Sequence, residues 1–76
     1  MEKELSFSVS LHEEELEGKR VFVADCVELG ISDFGDNIEE AIENLKDGTR
    51  LLLEEFPEKK AVLIKEKPVF FTKVYL

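Results

Sequence analysis

Cysteine is nearly absent from this chain: Cys26 stands alone among 76 residues, which excludes an internal disulfide. Histidine is as scarce. With only His12 beside that cysteine, no Cys/His cluster at ligand spacing exists to hold a structural zinc. Long apolar runs are missing too, nothing approaching the ~20 consecutive apolar residues of a membrane-spanning helix. The opening MEKELSFSVSLHEEE is charged and alternating, without the apolar run and small-residue cleavage site of a signal peptide. A cytoplasmic protein with no membrane contact is therefore expected. Positive charge is in deficit, 10 basic side chains against 18 acidic ones. Nucleic-acid binders gain affinity by replacing counterions with Lys and Arg, so direct contact with DNA or RNA is disfavoured. No Ser/Gly-rich linker, internal repeat or low-complexity tract divides the chain, which reads as one domain, residues 1–76.

What is present must fold with little to spare. A chain this short buries only about 60% of the surface its unfolded form exposes, so its core alone is marginal. Disulfide and metal being excluded, the usual remaining support for a small scaffold is self-association or docking to another protein. A net charge of −8 suits a basic partner. Equally, Glu and Lys in such numbers keep a small domain dissolved.

Leu5, Phe7, Val9 and Leu11 alternate with Ser6, Ser8, Ser10 and His12, the period-two pattern of a strand with one buried and one wet face. Glu13 to Gly18 is polar and acidic and ends in glycine, which reads as a hairpin connection. Residues 19–27 are apolar at almost every position, with Val21, Val23 and Val27 on one face and Phe22, Ala24 and Cys26 on the other. A strand apolar on both faces belongs at the centre of a sheet, with a helix on one side and room for a partner subunit on the other. Glu28, Leu29 and Gly30 form the turn into a short third strand, Ile31 to Phe34, closing at Gly35.

Asn37 is the strongest local signal. Its side-chain oxygen can accept from free amides of a helix beginning at Ile38, and Glu40 can reach back to complete a capping box. Ile38, Ala41, Ile42, Leu45, Thr49, Leu52, Leu53 and Phe56 then share one helical face, opposite most of Glu39, Glu43, Lys46, Asp47, Arg50 and Glu54. Gly48 costs about 1 kcal/mol relative to Ala at a helix interior. It either permits close approach of the sheet or is simply tolerated. Pro57 ends the helix. Residues 60–67 fit a strand, through Val62, Leu63 and Ile64, or one more helical turn; Pro68 breaks the run, and residues 69–76 are strand-like in their Val, Phe, Thr and Tyr content.

The expected fold is α+β in two layers, β-β-β-α-β: a three-stranded antiparallel meander, one helix packed on one sheet face, and a closing C-terminal strand. A right-handed crossover sets that last strand parallel beside the first, in order 3-2-1-4. The second sheet face then has nothing in the chain to cover it.

The run Phe22, Val23, Ala24, Asp25, Cys26, Val27, Glu28, Leu29, Gly30, followed by Gly35, Asp36, Asn37, Ile38, Glu39, Glu40, Ala41 and by Glu43, Asn44, Leu45, Lys46, resembles the HicB-like antitoxin family. There an aromatic-V-A-x-C-P-E-L-G segment leads through G-D-T-x-E-E-A into a long helix on a partly degraded RNase H-like fold. The likeness spans roughly the middle half of the chain, and the run from Pro68 to Tyr75 looks like the family's closing strand. Two positions depart from the pattern. Val27 stands where the family usually has proline, and Asn37 where it usually has threonine, which preserves the capping chemistry. HicB proteins often carry a DNA-binding segment after this domain; none is expected here. The resemblance implies a protein that binds a small, basic, mRNA-cleaving toxin of the HicA type and covers its catalytic surface, as a homodimer or higher homo-oligomer, without a cofactor or metal. Glu13, Glu14, Glu15, Val21, Val23 and Asp25 are the candidate partner-binding residues.

Each sharper reading has a plainer competitor. Asp25, Glu28, Asp33 and Asp36 cluster near the second turn, as the carboxylates of a metal-dependent nuclease would. A carboxylate-rich turn is more simply solvated, and Asp36 suits the positive end of the helix dipole. Cys26 as a nucleophile needs a base, and a packed thiol is the simpler expectation. For His12 a solvated strand position competes with a pH-sensitive contact to Glu13 or Glu14. Glu13, Glu14, Glu15 and Glu17 form either a solvated hairpin or a phosphate-mimicking contact with a toxin. Beside the antitoxin reading stands a homodimeric interaction domain of the same fold without a toxin, and behind both a residual metal-dependent nuclease.

Overall fold

A computed structural model describes residues 5–64 and 72–76. It contains strands β1 (Val9–Leu16), β2 (Lys19–Cys26) and β3 (Ile31–Gly35), helix α1 (Ile38–Glu55), a 3-10 turn at Pro57–Lys59 and a short helix α2 (Lys60–Ile64). The strands form one antiparallel sheet in the order β1-β2-β3, so the strand that is apolar on both faces is indeed central and the class is α+β. Among the described residues no helix is long and apolar enough to cross a membrane.

The β1–β2 ladder runs from Val9 opposite Cys26 to Leu16 opposite Lys19, leaving only Glu17 and Gly18 in the turn. Both turn residues have left-handed backbone, φ 51° and 78°, the two-residue geometry whose twist matches that of the flanking strands. The loop expected over residues 13–18 is therefore mostly strand, and β1 begins at Val9 rather than Leu5. Positive φ at both Glu17 and Gly18 closes the hairpin within two residues, so the glutamates before it continue the ladder with their side chains in water. Because β3 pairs only with Phe22 to Cys26, the β1–β2 hairpin runs on beyond the sheet as a two-stranded arm.

Cross-strand partners share a face, which places Val9, Leu11, Phe22, Ala24, Cys26 and Ile31 on the side of α1. Ala24, Cys26, Ala41 and Leu45 form the buried centre, ringed by Phe7, Val9, Phe22, Leu29, Ile31 and Ile42. Helix α1 buries Ala41, Leu45, Thr49 and Leu53, a strict i, i+4 row, while Ile38 and Phe56 at its ends stay exposed. The Thr49 hydroxyl donates to the Leu45 carbonyl at 2.8 Å, so the one buried polar side chain among the described residues is satisfied.

The junction of β3 with α1 explains several residues of the family-like signature together. A Cβ on Gly35 would lie 2.6 Å from the Ala41 backbone nitrogen and 2.8 Å from the Glu40 carbonyl carbon, so only glycine lets strand and helix meet. Ala41 is fully buried at that contact. Asn37 Oδ1 accepts from the Glu40 N–H at 2.8 Å, but the Asn37 N–H does not donate back to the Glu40 carboxylate, leaving the expected capping box half made. Gly48 is the contrary case. A Cβ there would meet nothing nearer than Asp33 Oδ2 at 4.0 Å, so this glycine is tolerated rather than required.

After the 3-10 turn the chain is helical over Lys60–Ile64, which resolves that part of the strand-or-helix alternative; Leu63 turns inward and is buried. Residues 65–67 lie outside the described residues, as does the first part of the expected closing strand, 69–71. Its remainder, residues 72–76, has no regular secondary structure and is exposed.

Candidate functional site

Two surfaces gather the residues singled out from the sequence. The first is the arm. Glu13, Glu14, Glu15 and Glu17 stand on it against only Lys19 and Arg20, and every residue from Leu11 to Arg20 is exposed. The two cations are already engaged: Arg20 Nε lies 3.5 Å from Glu13 Oε2, and Lys19 Nζ lies 2.7 Å from Asp36 Oδ1. Glu13 and Glu15 project on the α1 side with Arg20, and Glu14 and Leu16 on the opposite side with Val21 and Lys19. A hollow of about 380 Å³ opens between Glu13, Glu14, Glu15, Gly18 and Arg20.

The second surface is the sheet face turned away from α1. Val21 and Val23 lie on it, Val21 buried at 5% exposure and Val23 half-buried, with Phe34 exposed on β3. The sequence led us to expect an apolar face, but its middle is polar. Asp25 Oδ2 accepts from Ser10 Oγ at 3.2 Å and lies 3.2 Å from His12 Nδ1, while Asp25 Oδ1 accepts from Ser32 Oγ. His12 Nε2 in turn lies 2.9 Å from Glu14 Oε1. An imidazole with a carboxylate at each nitrogen can donate to both only as the cation. The bond to Glu14 accordingly raises the His12 pKa above 6.5, helped by the charge of Asp25 and opposed by desolvation. Bonds from Ser32 and then Ser10, with the nearby His12, hold the Asp25 carboxyl below its ordinary value despite some desolvation. The contact of His12 with Glu14 is thus made, and it extends to Asp25, which sequence reasoning did not connect to it. Pairing register was the missing information: Val23 lies opposite His12, and Asp25 opposite both Ser10 and Ser32.

The turn carboxylates do not converge. Asp25 is on the open face, Asp33 accepts the Phe34 N–H on the α1 side, and Asp36 holds Lys19. Glu28 reaches back to the segment before β1, both its oxygens accepting the Ser8 N–H at 2.8 and 3.0 Å. Its place in the Glu28-Leu29-Gly30 signature is thereby structural, as is that of Gly30, whose N–H donates to the Cys26 carbonyl and whose φ is 68°. Among the described residues no three His, Cys, Asp or Glu side chains come together in a way that could hold a metal ion. Cys26 is a packed thiol, buried, with desolvation pushing its pKa up. No family model, curated protein or solved structure matches this chain.

Proposed function

We propose that this chain is a cytoplasmic, antitoxin-like binding domain of the HicB type, not an enzyme, which neutralises a small basic HicA-type ribonuclease by covering its active surface. The observation that carries this reading is the acidic two-stranded arm. A ribonuclease must present cationic groups to attract the phosphates of its RNA. Glu13, Glu14, Glu15 and Glu17 display carboxylates on both faces of a projecting ladder, and the hollow among them has room for a Lys or Arg head. Leu16, half exposed near the tip, adds an apolar contact. A net charge of −8 speeds encounter with a cationic partner and gives an affinity that falls with salt. Val23 and Asp25, on the open face of β2, form the inner margin of the same contact, with Val21 buried beneath it.

The test is inhibition of RNA cleavage by a purified HicA-type toxin, with affinity measured at low and high salt. Wild-type chain should inhibit, and the triple variant Glu13→Lys, Glu14→Lys, Glu15→Lys should lose both inhibition and salt dependence. Inhibition unchanged in that variant removes the arm from the interface, and none by the wild-type chain overturns the reading. A second reading, a homodimeric interaction domain without a toxin, is favoured by apolar side chains exposed away from the arm, namely Phe34, Val74 and Tyr75.

A further inference from the structure

We propose that His12 is a proton-operated clamp on the acidic arm, holding the Glu14 carboxylate while charged and surrendering it to a cationic partner once neutral. The clamp sits where the arm leaves the sheet. His12 pairs with Val23, which β3 flanks in turn through Phe34, whereas Glu14 pairs with Val21, beyond the last residue that β3 reaches. Glu14 is also one of the side chains around the hollow at the arm. The imidazole thus ties a carboxylate of the proposed contact surface to Asp25 in the middle of the sheet, at 2.9 Å on the Glu14 side and 3.2 Å on the other.

The two carboxylates are not held alike. Asp25 also accepts from Ser10 Oγ on β1 and from Ser32 Oγ on β3, so it stays in place whatever the imidazole does. Glu14 has His12 as its only hydrogen-bond partner among the described residues, and its side chain is 59% exposed. A charged imidazole donates to both carboxylates. A neutral one keeps a single N–H, which the anchored Asp25 retains at Nδ1, leaving the Nε2 lone pair against Glu14 Oε1. Lone pairs at that distance repel, so Glu14 swings into water and joins the other glutamates of the arm.

No other charge among the described residues duplicates this one. On the face turned from α1, β1 adds no ionisable side chain besides His12 and Glu14, β2 adds to Asp25 only Lys19, which Asp36 holds at 2.7 Å, and β3 presents Ser32 and Phe34. Glu13, Glu15, Arg20 and Asp33 project on the side of α1. Competition between a proton on His12 and a cation on Glu14 therefore has a defined sign. Below the titration of His12 the carboxylate is engaged and a cationic partner binds more weakly; above it the carboxylate is free and binding strengthens. Because the Glu14 bond raises the His12 pKa, the change is centred above pH 6.5. By linkage, a bound cation weakens the hold of His12 on its proton by the same factor.

The inference rests on the arm being the surface that meets a cationic partner, so the probe is a capped hexalysine peptide, whose ammonium groups stay charged throughout the range. Its Kd on the intact chain, read by fluorescence anisotropy, should fall about two- to fivefold from about pH 5.5 to about pH 8.5, the strength of one exposed ion pair. His12→Ala should bind at both pH values as wild type does at the higher one, and Glu14→Gln as wild type does at the lower one. Both variants keep the α-amino group, the other group that ordinarily titrates in this window. Saturating peptide should also lower the His12 pKa followed by NMR. Equal wild-type affinity at both pH values, pH dependence kept by either variant, or a His12 pKa that the peptide leaves unmoved would each overturn the clamp alone. Failure of the peptide to bind at any pH would overturn it together with the reading of the arm.

Discussion

Gly48→Ala should stabilise the protein, and Gly35→Ala should do the reverse. Gly48 lies inside α1, where glycine is disfavoured by roughly 0.5–1 kcal/mol relative to alanine because its unfolded backbone has more freedom to lose. Nothing offsets a gain from substitution there, since the added methyl group would sit 4.0 Å from Asp33 Oδ2, an ordinary contact. For a domain of this size about 1 kcal/mol corresponds to roughly 4–8 °C in Tm, so a rise of about 2–8 °C is expected. At Gly35 the same methyl group would stand 2.6 Å from the Ala41 nitrogen, a backbone atom that cannot swing aside. Overpacking of that kind costs about 1–3 kcal/mol, and Tm should fall by roughly 4 °C or more. Both variants are compared with wild type by thermal and urea unfolding at one fixed protein concentration, since any self-association would make Tm depend on it. A destabilised Gly48→Ala, or a neutral Gly35→Ala, would refute the account of how β3 meets α1.

Other outcomes follow from the same contacts. Asn37→Ala should cost about 1 kcal/mol in urea unfolding and Asn37→Thr much less, because Asn37 Oδ1 serves a single helix amide. Stability contributed by His12 should be fully present below about pH 6.5 and fade as pH rises through its higher folded value. That of Asp25, whose folded value is lowered, should persist above about pH 4 and fade as pH falls through that lower value. His12→Ala should therefore flatten the slope of urea midpoints near neutrality, and an NMR titration placing His12 below 6.5 would contradict the two-carboxylate contact. Glu28→Ala should speed hydrogen exchange of the Ser8 amide while that of Leu45 stays slow, as only the first loses its acceptor. Cys26 should resist thiol reagents until the protein unfolds, at a rate that tracks global opening.

Much of the fold was legible because local and global signals coincide. Residues 19–26 are apolar on both faces and occupy the centre of the sheet, and Asn37 starts α1 at Ile38 as its capping chemistry dictates. The acidic stretch before Gly18 misled for a definable reason. Charge reads as loop, yet an exposed hairpin arm has no buried face to impose alternation, so glutamates fill strand positions freely. Residues 60–64 were ambiguous because their helical turn is fixed by one inward leucine, Leu63, and no periodic pattern emerges from a single anchor. The candidate site was half visible. Composition marked the glutamates, whereas the Ser10, His12, Asp25 and Ser32 network depends on which residues lie opposite one another, and register belongs to the pairing of strands rather than to any one of them.

The bidentate grip of Glu28 on Ser8 gives β1 two unlike fastenings, a side-chain latch where it begins and a tight covalent bend where it ends. Breathing motions should therefore unzip it from one end. The arm, with every residue from Leu11 to Arg20 exposed, should fray first, while Phe7 and Val9, packed at the rim of the core, open later. The spacing of the arm's carboxylates should therefore fluctuate while the domain beneath them stays closed.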